Sequence, residues 1–353
     1  METRGLEVSL SLKTCVLMLV VLSARAAVAQ ESEFRPWEPL GQIPVDQAGS
    51  GRRGYVLPGE STDVLDPAAN QVSIHTVGAN NFYLEDGNGV AISQRSEAHA
   101  LAVEFRRGFK PARWPRFELG AQVQFIESDA GMLNGFIAGF EDMVHAPLRS
   151  RVTTLQPLGT SVARNGQLLY HTTGEGSGFG DVYLVAKAIL RDSPAASRDT
   201  RVSARVAVNI AGAREFTAGN FAGAGLSIDK KMLDWLALHG DVRGTYVIDR
   251  ASAWTLPLRR GVFAFSAGPE FRLTSNTSLN LQVDGSTTPY RETGSIGLDA
   301  DYSDVAFGVN HRFTRGRRTF VAQFYARENM DMPFSVRWNT DPDFAVGFKL
   351  TIH

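Results

Sequence analysis

The amino-acid sequence predicts an all-β fold, a transmembrane antiparallel β-barrel of about twelve strands with a short helix in its longest extracellular loop. Three observations lead there. Runs of alternating apolar and polar residues recur along the chain, and they are longer than the strands of soluble proteins. The links between them switch regularly between short and long. A barrel with tight periplasmic turns at one end and longer loops at the other makes that rhythm.

The runs lie at about 98–107, 116–127, 181–191, 201–210, 221–230, 235–248, 260–272, 277–285, 303–313, 318–327 and 343–353, with a weaker one near 70–78. The short links are Gly108–Pro115, Asp192–Asp199, Lys231–Asp234, Leu273–Thr277 and Thr314–Arg317; the longest runs from about Glu127 to Gly180. With the N-terminus in the periplasm, every short link falls on the periplasmic side. Soluble strands cluster near about 5–6 residues, whereas a tilted membrane strand needs about 9–11.

Period-2 alternation assigns the faces. Phe117, Leu119, Ala121, Val123 and Phe125 share one side of their run, opposite Glu118, Gly120, Gln122 and Gln124. Val202, Ala204, Val206, Val208 and Ile210 oppose Arg201, Ser203, Arg205 and Asn209. In the last run Phe344, Val346, Phe348, Leu350 and Ile352 oppose Gly347, Lys349 and Thr351. Phe117, Phe263, Phe271 and Phe344 stand near strand ends, where interfacial aromatic girdles place their rings. Pro269 would remove a ladder hydrogen bond and is expected near the periplasmic end or at a bulge.

The first 29 residues carry the three parts of a secretory signal in order: Arg4 and Lys13, an apolar stretch at Val16–Leu22, and Ala27-Val28-Ala29 before Gln30. The one cysteine, Cys15, lies within it, so the remainder can form neither a disulfide nor a thiolate site. Beyond the signal no apolar run is long enough for a spanning helix. A closed barrel can still cross a membrane, because closure satisfies every backbone group. The formal net charge is −1, and a near-neutral chain gives no footprint for nucleic acid. The expected partners are outer-membrane lipid, the barrel-assembly machinery and a small-molecule solute. The oligomeric state is left open.

The inward faces carry mixed charge. Glu104, Arg106, Glu118, Lys187, Arg205, Asp241, Arg243, Glu270, Asp284 and Arg327 are the lumen-lining candidates, with Arg201, Arg272, Arg312 and Lys349 nearby in the pattern. Arg106 could face Glu118 across a short hairpin. Such a set is either an ion-pair network that fills the interior or a polar path for solutes. Eight strands give a filled interior and about sixteen to eighteen an open channel, so twelve predicts a narrow or plugged pore. In the longest link, Leu133, Phe136, Ile137 and Phe140 recur with Val144 at helical spacing. That helix could cap the mouth, fold inward or grip a hydrophobic ligand. Residues 30–68, with Pro36, Pro39, Pro44, Pro58 and Pro67, read as an irregular periplasmic extension or a piece inserted into the lumen, ahead of a barrel at 69–353.

Enzymatic chemistry has one candidate. If Ser227 pairs across from His239, the two share the lumen with Asp229 and Asp241 as a serine–histidine–carboxylate set; a polar lumen would contain these types anyway. The histidines are scattered, with no close pair at ligand spacing, so no metal or cofactor is expected. Gly174, Gly176, Gly178 and Gly180 precede a strand rather than a helix, which argues for a bend or close backbone approach over a phosphate loop.

The stretch Leu133-Asn134-Gly135-Phe136-Ile137-Ala138-Gly139-Phe140-Glu141-Asp142 resembles an uncharacterised family of bacterial outer-membrane proteins known only as a domain of unknown function. Tyr170 followed by Gly176-Ser177-Gly178-Phe179-Gly180-Asp181-Val182, the Leu238-His239-Gly240 strand and Arg327-Glu328-Asn329 are similar as well. The resemblance spans roughly residues 70–353. It implies the barrel fold and the outer membrane, and it brings no activity, substrate or catalytic residue with it.

Overall fold

A computed structural model describes residues 39–44, 57–87, 89–129, 159–172, 176–193, 200–210, 219–250, 256–329 and 344–353. The strands are β1 (Asn70–Gly87), β2 (Val90–Phe109), β3 (Phe117–Asp129), β4 (Gly159–Arg164), β5 (Gln167–Thr172), β6 (Gly176–Ser193) and β7 (Thr200–Ile210). They continue as β8 (Gly219–Leu233), β9 (Leu236–Arg250), β10 (Gly261–Arg272), β11 (Thr277–Ser286), β12 (Tyr302–Arg315), β13 (Arg318–Asn329) and β14 (Phe344–Ile352). A single helical turn, α1 (Ile296–Asp299), precedes β12.

Twelve of these strands close on themselves. Each pairs antiparallel with its neighbour, from β2 through β3 and β6 to β14, and β1 joins β14 to β2. Closure leaves no edge strand, so the ladder groups of the wall pair with one another rather than with water. This is the transmembrane barrel that the alternation and link lengths predict.

The faces separate as expected. Phe105, Val206, Leu226, Val242, Phe263 and Phe307 point outward and are exposed, while the intervening side chains are buried and mostly polar. At the short-link end three cross-strand aromatic pairs stack: Phe109 with Phe117 at 5.3 Å, Trp235 with Phe271 at 6.3 Å, and Phe313 with Phe320 at 5.0 Å. Pairs of this kind reinforce a ladder and form one girdle of a membrane barrel. Pro269 sits three positions before the end of β10, on the short-link side, opposite Leu238.

Two features depart from the sequence expectation. β1 and β2 run for 18 and 20 residues, roughly twice the expected runs, and so project beyond the apolar band at the long-loop end. The stretch 159–172, expected as part of a loop, is the β4–β5 hairpin, turned by Asn165 and Gly166 at positive φ and paired with the projecting part of β2. Asn-Gly between apolar residues is a strong hairpin signal, but six-residue strands carry too little alternation to register beside the longer runs. Val90, Ile92, Val162, Tyr170, Leu256, Tyr290 and Leu298 pack into an apolar cluster there, uniting this hairpin with the 287–301 connection. The expected loop helix with Leu133, Phe136, Ile137 and Phe140 lies outside the described residues, as does the signal stretch.

Candidate functional site

The site is the lumen. The described parts of the N-terminal segment, 39–44 and 57–69, contact lumen-facing side chains of the wall. The segment passes into the wall at the short-link end, where the amide of Ala68 donates to the Gly108 carbonyl and that of Gly108 to Ala69, both at 3.0 Å. A Cβ on Gly108 would lie 2.2 Å from the Asp66 carbonyl oxygen, so only glycine admits this crossing.

All ten lumen candidates are buried. Strand register brings four of them into one row. Glu118 lies directly opposite Lys187, Lys187 opposite Arg205, Arg205 opposite Gly225, and Gly225 opposite Arg243. Two cations facing each other across a ladder repel. The counter-ion comes from the segment. One Glu60 oxygen takes Arg106 Nη2 at 2.7 Å and Arg205 Nη1 at 3.1 Å; the other takes Arg106 Nη1 at 2.9 Å and Lys187 Nζ at 3.5 Å. The Arg106 fork is the bidentate geometry that carboxylates favour. Burial by itself would raise the Glu60 carboxyl, but Arg106, Arg205 and Lys187 outweigh it and hold it well below its ordinary value of 4.5. Arg106 also pairs with Glu104 and, at 2.7 Å, with Glu118, although its strand partner is Gly120 and the contact to Glu118 is diagonal.

A second group anchors the segment through its main chain. Glu270 accepts from the amides of Leu40 and Gly41, and Asp229 from the amide and hydroxyl of Thr62 at 2.9 and 2.6 Å. Gln282 reads one residue twice, its Oε1 accepting from the Ile43 amide at 3.0 Å and its Nε2 donating to the Ile43 carbonyl at 3.1 Å. Asn280 donates to the Gly41 carbonyl and Gln323 to that of Gln42. Two apolar knobs complete the fit. Leu57 packs with Tyr183, Ala207 and Phe221, and Ile43 with Ala306 and Tyr325. Each sits over a glycine of the wall: a Cβ on Gly223 would come within 2.6 Å of Leu57, and one on Gly308 within 2.9 Å of Ile43.

The catalytic set that the sequence allows is not assembled. Ser227 lies opposite Asp241, to which its hydroxyl donates at 2.8 Å, and His239 lies opposite Asp229. The imidazole is held at 2.7 Å by Asp229 on Nδ1 and by Glu270 on Nε2, so neither nitrogen serves the serine. The β8–β9 turn is centred one position later than the sequence suggests, with a bulge between Lys231 and Leu233. That moves every partner by two residues, keeping the face and changing the pairing. The remaining candidates stand apart from Glu60. Asp284, bound by Gln282 at 2.9 Å, faces Asp304 across the ladder, and Arg327 Nε lies 3.4 Å from Asp304.

Sequence reasoning missed the segment's own contribution. Glu60, Asp63 and Asp66 recur every third residue, and each meets a wall arginine: Asp63 pairs with Arg201 at 3.0 Å and Asp66 with Arg116 at 2.6 Å. That spacing is visible in the chain, but its partners are more than forty positions distant.

No protein-family profile and no curated protein matches this chain. Solved structures do. An outer-membrane channel from Pseudomonas putida F1 is 11% identical over 82% of this chain and 97% of that chain, with a TM-score of 0.54. A Pseudomonas aeruginosa FadL homologue is 10% identical over 88% and 98%, with a TM-score of 0.38. The outer membrane phospholipase A of Escherichia coli is 12% identical over 82% and 94%, with a TM-score of 0.36. At these identities the likeness is one of fold, and the fold is that of an outer-membrane β-barrel.

Proposed function

We propose that this chain is an outer-membrane channel for small solutes whose N-terminal segment fills the lumen at rest and shifts for passage. The observation that carries this reading is how the segment is held. Among the described residues, 39–44 and 57–66 are held by hydrogen bonds and ion pairs to wall side chains and belong to no strand ladder. A segment so held can leave without opening the wall. Export by the signal at 1–29, insertion by the barrel-assembly machinery and residence in outer-membrane lipid follow from the same reading.

Gly308→Val tests it. The added side chain occupies the space of Ile43 and leaves every charge in place. In planar bilayers the wild-type channel is expected to conduct little, and the variant several-fold more. Equal, near-zero conductance from two correctly folded barrels would overturn the proposal. It would favour a structural or surface-interaction barrel, to which the ion-pair network and the apolar cluster above the long-loop end also lend support.

A further inference from the structure

The cradle around Glu60 has the form of a receptor for a carboxylate. Three cations from three strands, Arg106, Lys187 and Arg205, converge on one carboxyl group, and all three are buried. Arg106, Lys187, Arg205 and Arg243 together outnumber the wall carboxylates they touch, Glu104, Glu118 and Asp241. Arg106 is shared between Glu104 and Glu118, and Lys187 reaches Glu118 only at 3.8 Å. Arg205 reaches Asp241 at 3.4 Å, but Asp241 is already bound by Arg243 and Ser227. Donors remain in reserve as well. Arg205 Nε and Arg243 Nε and Nη2 are buried without an acceptor among the described residues. Gly225 lies between these two guanidinium stems in the register, and Arg205 Nε sits over it, 3.0 Å from where a Cβ would stand. The vestibule at the short-link end, about 940 Å³, continues the pattern. Arg116, Arg201 and Arg312 line it, and three of its four acids, Glu60, Asp63 and Asp66, belong to the segment.

We propose, resting on the channel reading above, that Arg106, Lys187 and Arg205 form a binding site for the carboxylate of a small organic anion, which Glu60 occupies as an internal stand-in. A dicarboxylate would take the Arg106 fork with one end and the spare donors of Arg205 and Arg243 with the other. The acidic segment then competes with the permeant, and its displacement exposes a cationic track from the lumen centre to the vestibule.

The test uses the full-length protein in detergent and in planar bilayers, with succinate as the probe and neutral succinamide as its control. Correct folding of each variant is checked by heat-modifiable migration. In Glu60→Gln, succinate is expected to bind at least tenfold more tightly than in wild type, succinamide in neither, and the current to be anion-selective. Gly308→Val, which keeps all charges, is expected to gain succinate affinity in the same direction and guards against a misfolded Glu60 variant. Adding Arg205→Gln to Glu60→Gln should remove the gain. Unchanged succinate affinity in both folded variants overturns the carboxylate site; if they conduct without anion preference, the channel reading survives alone. Tight succinate binding with no conductance in any variant upholds the site and overturns the channel reading.

Discussion

At the residue scale, the question is what a buried carboxylate does for a segment that has no ladder to hold it. Glu60 carries most of the charge contact between the segment and the wall. Removing one partner of a buried ion pair costs about 3–5 kcal/mol, because the remaining charges stay desolvated. The pH dependence follows from its direction of shift. A carboxyl whose folded value is lowered contributes fully above its ordinary value of 4.5 and loses that contribution only as pH falls through the lowered value. The lumen is therefore expected to stay filled from pH 8 to pH 5, with single-channel conductance flat over that window and rising only in stronger acid. A rise in conductance with a midpoint near neutrality would show that some other group governs the segment. The residues also show the limit of face assignment. Ser227 and His239 do share the lumen, but a two-residue displacement of register separates a catalytic set from a pair of structural contacts.

At the scale of elements, strands are placed by how closely their neighbours can approach. In β10, Gly268 and Pro269 have no register partners on β11, and a Cβ on Gly268 would lie 1.9 Å from the Leu281 carbonyl oxygen. Backbone cannot yield as a side-chain tip can. Gly268→Ala is expected to destabilise the barrel by about 3 kcal/mol through overpacking. Gly261→Ala, whose added Cβ would meet nothing within 4 Å, should stay within about 0.5 kcal/mol of wild type. Urea unfolding in lipid vesicles measures both, and similar losses at the two positions would refute the contrast. The elements that period-2 reading recovers are those with one apolar face. β4, β5 and the projecting part of β2 bury Val162, Tyr170, Val90 and Ile92 against other protein, so their pattern differs from the wall pattern and escaped it.

At the scale of the molecule, the barrel is an apolar cylinder around a charged interior, the inverse of a soluble protein. Phe263 is 69% exposed, while Glu97 and Glu270 are wholly buried. Such a surface needs lipid or detergent to cover it. The refolded chain is expected to remain monodisperse in detergent and to aggregate when detergent is removed; a monodisperse, sheet-rich species in plain buffer would reject the membrane assignment. The cluster at Val90, Tyr170 and Tyr290 lies at the long-loop end, and the segment reaches from the short-link crossing at Ala68 up to Tyr183 and Phe221 in the long-loop half of the lumen. Passage of a solute therefore requires movement within the lumen as well as a clear mouth.

By itself, the sequence determined which side of each strand meets lipid and which meets the lumen. Alternation is a local property, and a chain that must bury charge and expose valine and phenylalanine can do so only as a closed cylinder. The ten charged lumen positions were legible for that reason. Only the tertiary structure decided their partners. Glu60 with Arg205, Leu40 with Glu270 and Ile43 with Gln282 are separated by well over a hundred residues, and no periodicity connects them. Such pairs are set by the register of twelve strands and by where an irregular segment finds glycine-lined space. Those are properties of the closed barrel and of no stretch of chain alone.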